Sequence, residues 1–582
     1  YKIYMSDNFF LQTTQIEPRN NYKKKIYKLG SWCYKFDDYF YNKKDENYHW
    51  KDRIALKEDY NYLKDLSEKV LNQLVKRLNN NHLIDKDKKY WRIILGLWLE
   101  QFLHVIYDRW LSIQNIDNKK IDFETEIISF KKEDIVALNT YDNGRLLWES
   151  NHWNHYLFGE IIKFNKKINF HEVNDYVLKK PKNRVYKSTR KKKIIYFIFK
   201  LFEKFNFNYK VVFFEDVNLL EQLIFFFKIG QLPLFINKYQ DSNKDYDFNF
   251  RNWSLGINTT NEFEKFIDLF IPKNLPKSIL ESYKDNLKIS KQYPKNNIKA
   301  FIVTGFDFCD NGKIYLAEKN ESKKIIYQHG GAYGQLDLNW RERQELMVSD
   351  HFLTWGWNKE HSNTDISEED KNKIVTFHPM SINKKNLFKK NKNQILIILD
   401  NIPNICVENR STYMGGLYKY YLEEIFNFIK NLDKPYLSKV KIRLYYKDYE
   451  KNLKKLFLQE FPNLQFENNE KNIKKSYKES KICIIANNAT TYLESFSSNI
   501  PTVIFWNKNY SELRESAKKY FKELEKNSIY HSSGFLASEF INKNYDNIEE
   551  WWNSNSVTKA KFFFTDTYCK KNGNLNNLKK LI

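Results

Sequence analysis

The chain has 582 residues and is short of the patterns that usually announce a function class. Its five cysteines, Cys33, Cys309, Cys406, Cys483 and Cys569, are widely spaced and form no CxxC pair, which argues against a disulfide framework or a structural zinc and fits a reducing compartment. Long apolar runs are missing. The longest, Ile194 to Phe199 and Leu223 to Phe227, fall far short of the roughly 20 residues a spanning helix needs. No signal-peptide pattern opens the sequence, so a cytoplasmic location is expected. Recognition-helix, zinc-finger and RNP-type signatures are absent, and nucleic acid is not an expected partner. Neither a GxGxxG fingerprint nor a GxxxxGK[ST] loop occurs. No DxD pair stands on a strand end, so no metal and no other cofactor is expected.

What is present begins with charge. Lysine and arginine number 96 against 72 acidic residues, a net charge of +24, while 42% of residues are hydrophobic and 17% aromatic. That aromatic load argues against disorder. A positive balance suits nucleic acid, an anionic membrane surface or phosphate-bearing substrates. Lysine dominates it, however, beside abundant Asn, Ile, Tyr and Phe, a mixture that AT-rich coding also produces, so it carries little functional weight. One segment, Lys187 to Phe207, joins a basic cluster to an aromatic-aliphatic run. It reads as an ordinary buried element with a solvated basic flank, with peripheral contact at the inner-membrane face as the alternative.

The length suggests roughly three or four domain-sized units, or two large ones with an insertion. Apolar residues between Tyr60 and Leu78 recur at three- and four-residue steps, and Tyr90 to Trp110 continues as a mostly apolar helix, so residues 1–115 read as helix-rich. Residues 116–296 read as an irregular insertion. From Ile298 onward, β-branched runs alternate with helical stretches. Strands are expected at Ala300–Thr304, Lys324–Tyr327, His351–Trp355, Lys373–Phe377, Gln394–Leu399, Val440–Tyr446, Ile482–Ala486 and Thr502–Phe505, with helices at Gly416–Leu432 and Thr490–Ser497. Such alternation implies an α/β fold with parallel sheet and helices on both faces. The polar stretch Trp357–Asp370 has a linker's composition. It divides an N-terminal unit, 1–357, from a C-terminal unit, 371–540, with a helical tail, 541–582, expected to pack back on the first unit.

Three constellations carry chemistry. Residues 325–334, IIYQHGGAYG, run from a buried strand into a loop that sets His329 beside Gly330 and Gly331, with Tyr333 and Gly334 following. The glycines permit positive φ and close approach of a ligand, and a loop at a strand's carboxyl end faces the crevice of an open α/β sheet. Lys481–Phe505 places Asn488, Thr490 and Thr491 at a helix start, where unsatisfied N–H groups and hydroxyls can receive a phosphate. Arg443 and Lys447 follow a neighbouring strand and are expected to neutralise that same phosphate. A crevice of this kind suits a sugar-nucleotide transferase, which must hold a nucleotide leaving group and set an acceptor hydroxyl near a base. His329 is either that base or a donor to phosphate.

The segments LGSWC (Leu29–Cys33), HWKDR (His49–Arg53), LNNNH (Leu78–His82), YWRIILG (Tyr90–Gly96), YDRW (Tyr107–Trp110), QHGGAYG (Gln328–Gly334), SDHFLTWGW (Ser349–Trp357) and Pro501–Tyr520 resemble the Leptospira-type transferases of bacterial surface-carbohydrate clusters. That family is distantly similar to GT-B glycosyltransferases with CMP-Kdo or CMP-sialic acid-like donors. The resemblance implies two Rossmann-like units facing a cleft. It also implies transfer of a sugar, a nonulosonic acid among the candidates, from a nucleotide donor to a glycan or lipid-linked glycan acceptor of LPS, O-antigen or capsule. The Ser/Thr motif of such enzymes corresponds to Asn488–Thr491. Their His-Pro position is occupied by Tyr445-Tyr446, and His378-Pro379 lies too early, at the first strand of the second unit. The resemblance favours CMP as the carrier, and the departure at the His-Pro position leaves UDP and GDP as alternatives. Asp108 and Arg109 are candidate sugar contacts. Asp52 or Asp108 could serve as base or nucleophile in place of His329. Equally, Asp52–Arg53 and Asp108–Arg109 could be buried ion pairs that hold helices together. Glu494 and Glu512 stand where a ribose-binding carboxylate could lie, and Trp355 and Trp357 read as core packing. The other readings are a non-catalytic glycan- or membrane-surface-binding protein on the same fold, and a transferase of a non-sugar group.

Overall fold

A computed structural model describes residues 9–582 except 19–23, 43–47, 118, 120, 143–146, 175–209, 215–218, 235, 237–238, 295–296, 307, 383–384, 469 and 574. The basic-aromatic segment 187–207 lies outside the described residues. Among them the strands form three sheets, and every named strand pairs in parallel. The first holds β1 (Phe9–Gln12), β2 (Lys25–Lys28), β3 (Phe123–Ile128) and β4 (Asn169–Val173) in the order β2-β1-β3-β4. The second runs consecutively through β5 (Val211–Phe213), β6 (Ala300–Val303), β7 (Lys323–Tyr327), β8 (His351–Thr354) and β9 (Ile374–Thr376).

The third sheet contains β10 (Gln394–Ile398), β11 (Val440–Arg443), β12 (Gln465–Phe466), β13 (Ser480–Ile485), β14 (Thr502–Phe505) and β15 (Tyr530–His531). Its order, β12-β11-β10-β13-β14-β15, is that of a Rossmann sheet, whose strand order reverses between β10 and β13. Burial explains the strand sequences. Ile325, Ile326, Ile395 to Ile397 and Ile482 to Ile485 are at most 0% exposed, as residues covered on both sheet faces must be. The fold is therefore α/β, built on parallel Rossmann-like sheets.

All eight strands expected after residue 298 are present, with ends shifted by a few residues. The helices Arg53–His82 and Lys88–Asp117 pack on each other, and the second also packs on the helices Asp310–Glu318 and Trp340–Val348. Two organisational expectations need correction. Residues 116–296 are no irregular insertion: they supply β3 and β4 to one sheet and β5 to another, with helices at Asn151–Asn165, Glu262–Asn274 and Tyr283–Ser290. Their strands are short and far apart in sequence, which hides the period.

The boundary at 357–370 is also displaced, because β9 lies beyond it and pairs with β8. The polarity of that stretch marks an exposed crossover between adjacent strands. His378-Pro379 accordingly follows the last strand of the second sheet, and the His378 carbonyl accepts a 2.7 Å hydrogen bond from Tyr327 on β7. Trp357 is fully buried, its indole N–H donating to Gln328 Oε1 at 2.8 Å. At the chain's end the helix Asn555–Tyr568 packs on the helices Thr490–Ser497 and Glu515–Lys526, and Lys570 N donates to the Trp355 carbonyl at 2.8 Å.

Candidate functional site

The loop after β7 meets the helix start after β13. Gly331 N–H donates to Thr490 Oγ1 at 3.0 Å, so the loop that carries His329 and the Asn488–Thr491 turn lie against each other. Neither Gly330 nor Gly331 adopts the positive φ expected of it. Gly334 does, at +73°, and a Cβ there would also strike the Trp357 ring at 2.8 Å. Gly331 is required for space instead: a Cβ would lie 2.9 Å from the Ala489 carbonyl oxygen and 2.9 Å from Thr490 Cα. Gln335 braces the turn by donating from Nε2 to the Gly331 carbonyl at 2.7 Å, while its Oε1 accepts from Tyr492 at 2.6 Å.

His329 stands on this loop with its side chain 33% exposed. Behind it, Tyr333 donates its hydroxyl proton to Glu345 Oε2 at 2.9 Å, and the same hydroxyl lies 3.0 Å from His329 Nδ1. A phenol has one proton, so Nδ1 must be the donor to Tyr333, and in the neutral ring Nε2 is left as an acceptor. Glu345 is fully buried, and its Oε1 lies 3.4 Å from Nδ1. Burial, followed by the Glu345 charge, drives the Tyr333 hydroxyl well above its ordinary range, so Tyr333 stays protonated. Glu345 was not anticipated from the sequence. Its one signal is a carboxylate three residues after Glu342 on the helix Trp340–Val348.

Across from the His329 loop, Asn488 Oδ1 lies 3.1 Å from the Tyr492 hydroxyl, whose proton goes to Gln335, and the buried Asn488 Nδ2 has no partner. Thr490 and Thr491 begin the helix Thr490–Ser497 with no side-chain cap on its N–H groups. At the strand-order reversal, Asn487 Nδ2 donates to Asp400 Oδ2 at 2.9 Å, and burial pushes the Asp400 carboxyl up.

Other expected site residues go elsewhere. Arg443 is held by Glu467 Oε2 at 3.1 Å, Ser476 Oγ at 3.3 Å and the Lys471 carbonyl at 2.8 Å, and Lys447 pairs with Glu149, so neither cation is committed to the helix start. Glu494 interacts with Tyr477 and Lys474, and burial raises its carboxyl. Asp52 caps the helix Arg53–His82, accepting from Ile54 N at 2.9 Å and Ala55 N at 3.2 Å. It makes no pair with Arg53, whose guanidinium grips Glu512 at 2.5 and 2.9 Å across 459 positions.

Asp108 and Arg109 do pair, at 3.1 Å, and both are fully buried. A carboxylate so enclosed cannot itself meet a substrate. Tyr48 donates to it at 2.6 Å, and His49 Nε2 lies 3.1 Å away. Burial would raise the Asp108 carboxyl, but the His49 contact and the Arg109 charge outweigh it and hold the group below its usual range. The imidazole beside Asp108 is thus His49 of HWKDR, where the sequence pointed to Asp52 instead.

The fold and this site describe an α/β protein in which the loop bearing an imidazole meets an uncapped helix start. The family model of the LIC12162 family transferases matches residues 9–581, and the chain belongs to that family. No curated protein matches it. Among solved structures it is similar to MurG of Acinetobacter baumannii, at 14% identity over 52% of this chain and 77% of that one, TM-score 0.30. It is also similar to the wall teichoic acid polymerase TagF, at 10% identity over 51% and 83%, TM-score 0.28. A third is the UDP-forming α,α-trehalose-phosphate synthase of Burkholderia xenovorans, at 8% identity over 52% and 76%, TM-score 0.28. Likenesses at this level carry no inference about this chain's chemistry. Among the described residues no helix is long and apolar enough to cross a membrane.

Proposed function

We propose that this transferase is a GT-B-like glycosyltransferase that moves a sugar, a nonulosonic acid in our reading, from a nucleotide donor to a glycan or lipid-linked glycan of the bacterial surface. CMP is the favoured carrier, with UDP and GDP next. The observation that carries the reading is the apposition of His329 and the Thr490 helix start, joined by the Gly331–Thr490 hydrogen bond.

In this scheme the nucleotide phosphate lies against the N–H groups of Thr490 and Thr491, with Asn488 Nδ2 as a further donor. His329 Nε2 takes the proton of an acceptor hydroxyl as its oxygen attacks the anomeric carbon. The bond from sugar to phosphate breaks, and its electron pair leaves with the nucleotide, where preorganised donors receive the charge. Tyr333 and Glu345 hold the imidazole in the required tautomer. Glu345 also stabilises the imidazolium that forms.

The test is thermal stabilisation by CMP, UDP and GDP. A ligand at about 100 times its Kd stabilises by about 2.7 kcal/mol. Thr490→Ala/Thr491→Ala removes two hydroxyl donors and the Gly331 contact and should reduce the shift, whereas His329→Ala should keep it and abolish transfer. No shift with any of the three nucleotides, or an unchanged shift in the double variant, refutes the donor site.

A further inference from the structure

A concavity lies apart from the His329 loop and the Asn488–Thr491 turn, none of whose residues line it. It has a volume of about 680 Å³, is lined by Tyr27, Trp32, His49, Lys51 and Lys119, and is closed from the C-terminal unit by Tyr420. That is within the range of pockets that hold small ligands, about 300–1,000 Å³. It joins the segments LGSWC and HWKDR, neither of which the nucleotide cleft uses.

Three properties of its wall define a ligand. The first is charge. Lys119 Nζ lies 4.7 Å from the Tyr27 ring centroid and Lys51 Nζ lies 5.5 Å from that of Tyr420, so two ammonium groups border the space. The carboxylate on the wall, Asp52, already accepts two N–H groups at the start of the helix Arg53–His82, which balances its charge against the helix dipole. The second is aromatic surface, which suits the apolar face of a sugar ring better than it suits a bare anion.

The third is His49. Its Nε2 stands at hydrogen-bonding distance, 3.1 Å, from buried Asp108, although the N–H axis is not well aligned. Imperfect alignment is common before substrate binds. A carboxylate accepts only, so the proton belongs on Nε2, and Nδ1 is left as an acceptor for a hydroxyl. Asp108 is the positioning residue in this arrangement. Its own charge is matched by Arg109, so it does not repel an anion in the cavity.

We propose that this cavity binds an anionic saccharide, a sugar unit bearing a carboxylate or a phosphate. The lysines take the anionic group, the aromatic wall takes the ring, and His49 takes a hydroxyl proton in a hydrogen bond. That this saccharide belongs to the acceptor rests on the glycosyltransferase reading; that it binds does not.

Saturation-transfer NMR on the full chain, without nucleotide, tests the proposal with D-glucuronate, D-glucose 6-phosphate, D-glucose and inorganic phosphate. One or both anionic sugars should give signals several-fold above D-glucose, and inorganic phosphate should displace them only weakly. Whichever anionic sugar is stronger identifies the group recognised. Lys51→Gln/Lys119→Gln should reduce that signal to the D-glucose level while leaving any nucleotide-induced thermal shift unchanged, and His49→Phe should weaken all sugars. Conversely, Thr490→Ala/Thr491→Ala should leave the sugar signal intact, so failure of the donor site and failure of this site read out separately. Absent signals from both anionic sugars, signals equal to D-glucose, full displacement by inorganic phosphate, or signals the lysine variant leaves intact would overturn the assignment.

Discussion

Two adjacent glycines offer a sharp test of the cleft, because their surroundings differ while their chemistry does not. A Cβ on Gly331 would lie 2.8 Å from Leu493 Cδ1, 2.9 Å from the Ala489 carbonyl oxygen and 2.9 Å from Thr490 Cα. Two of these atoms are backbone of the facing unit and cannot yield by changing a rotamer. To reach the 3.4 Å at which ordinary contact begins, the loop must retreat from the helix start. Over-packing of this kind costs about 1–3 kcal/mol. Retreat also lengthens the Gly331–Thr490 hydrogen bond, worth about 1 kcal/mol. The expected penalty for Gly331→Ala is thus at least about 2 kcal/mol, roughly 30-fold in affinity for any ligand that needs the two walls apposed. Gly330 is the control: its nearest neighbours would be at 3.9 and 4.0 Å, so Gly330→Ala should be tolerated. Nucleotide titration by calorimetry reads the affinity, and amide exchange over residues 487–493 reads the apposition without a ligand. Equal behaviour of the two variants by both measures would refute this geometry.

Three further outcomes follow from the same structure. Asp52→Ala should cost about 1 kcal/mol of stability as a lost helix cap while leaving nucleotide binding intact, measured by thermal melting and titration. Arg343→Met should destabilise by about 3–5 kcal/mol, because it strands buried Glu100, which now takes a 2.5 Å contact from Arg343 and another from Gln344; adding Glu100→Gln should recover part of the loss in a double-mutant cycle. Burial depresses His104 to about 3 and His82 to about 4 from an ordinary 6.5, so the folded state binds fewer protons than the unfolded one. Their contribution is complete above pH 6.5 and is lost as pH falls toward 3 or 4, at roughly 1.4 kcal/mol per pH unit for each ring. Denaturation midpoints between pH 7 and 4 check this; a flat profile, or one that His104→Asn does not flatten, contradicts it.

Eight of the eleven strands in the second and third sheets were legible in the sequence, because strands covered on both faces are unbroken β-branched runs between turn residues, whereas β5, β12 and β15, of two or three residues each, were not. Ile482 to Ile485 and Ile395 to Ile398 can be read in no other way once a helical stretch follows each. The meeting of the His329 loop with the Thr490 turn was legible for a related reason: both follow the carboxyl ends of buried parallel strands. The four-stranded sheet was not. β1 and β2 have four residues each, and β3 joins β4 across a 40-residue gap occupied by helices, so no local period records the pairing. The displaced boundary has a different origin, since polarity reports exposure and an exposed crossover within a sheet looks the same as a linker between domains.

Charge partners were least legible of all, and HWKDR shows why. Residues 49–51 form a 3₁₀ turn, whose successive side chains point about 120° apart, and Asp52 ends it in extended backbone. Five consecutive residues therefore reach five places. His49 meets Asp108, Trp50 donates to Asp59 at 2.8 Å, Lys51 borders the cavity, Asp52 caps the helix and Arg53 crosses to Glu512. Read as a string, the segment advertises an acid beside a base. Folded, its acid is spent on a helix start and its imidazole lies against a fully buried carboxylate 59 positions away. The same turn ties the cavity wall to both units through Arg53. Loss of the Arg53–Glu512 pair should therefore loosen the cavity's closure by the C-terminal unit as well as cost stability, a coupling that neither residue's neighbours in sequence could reveal.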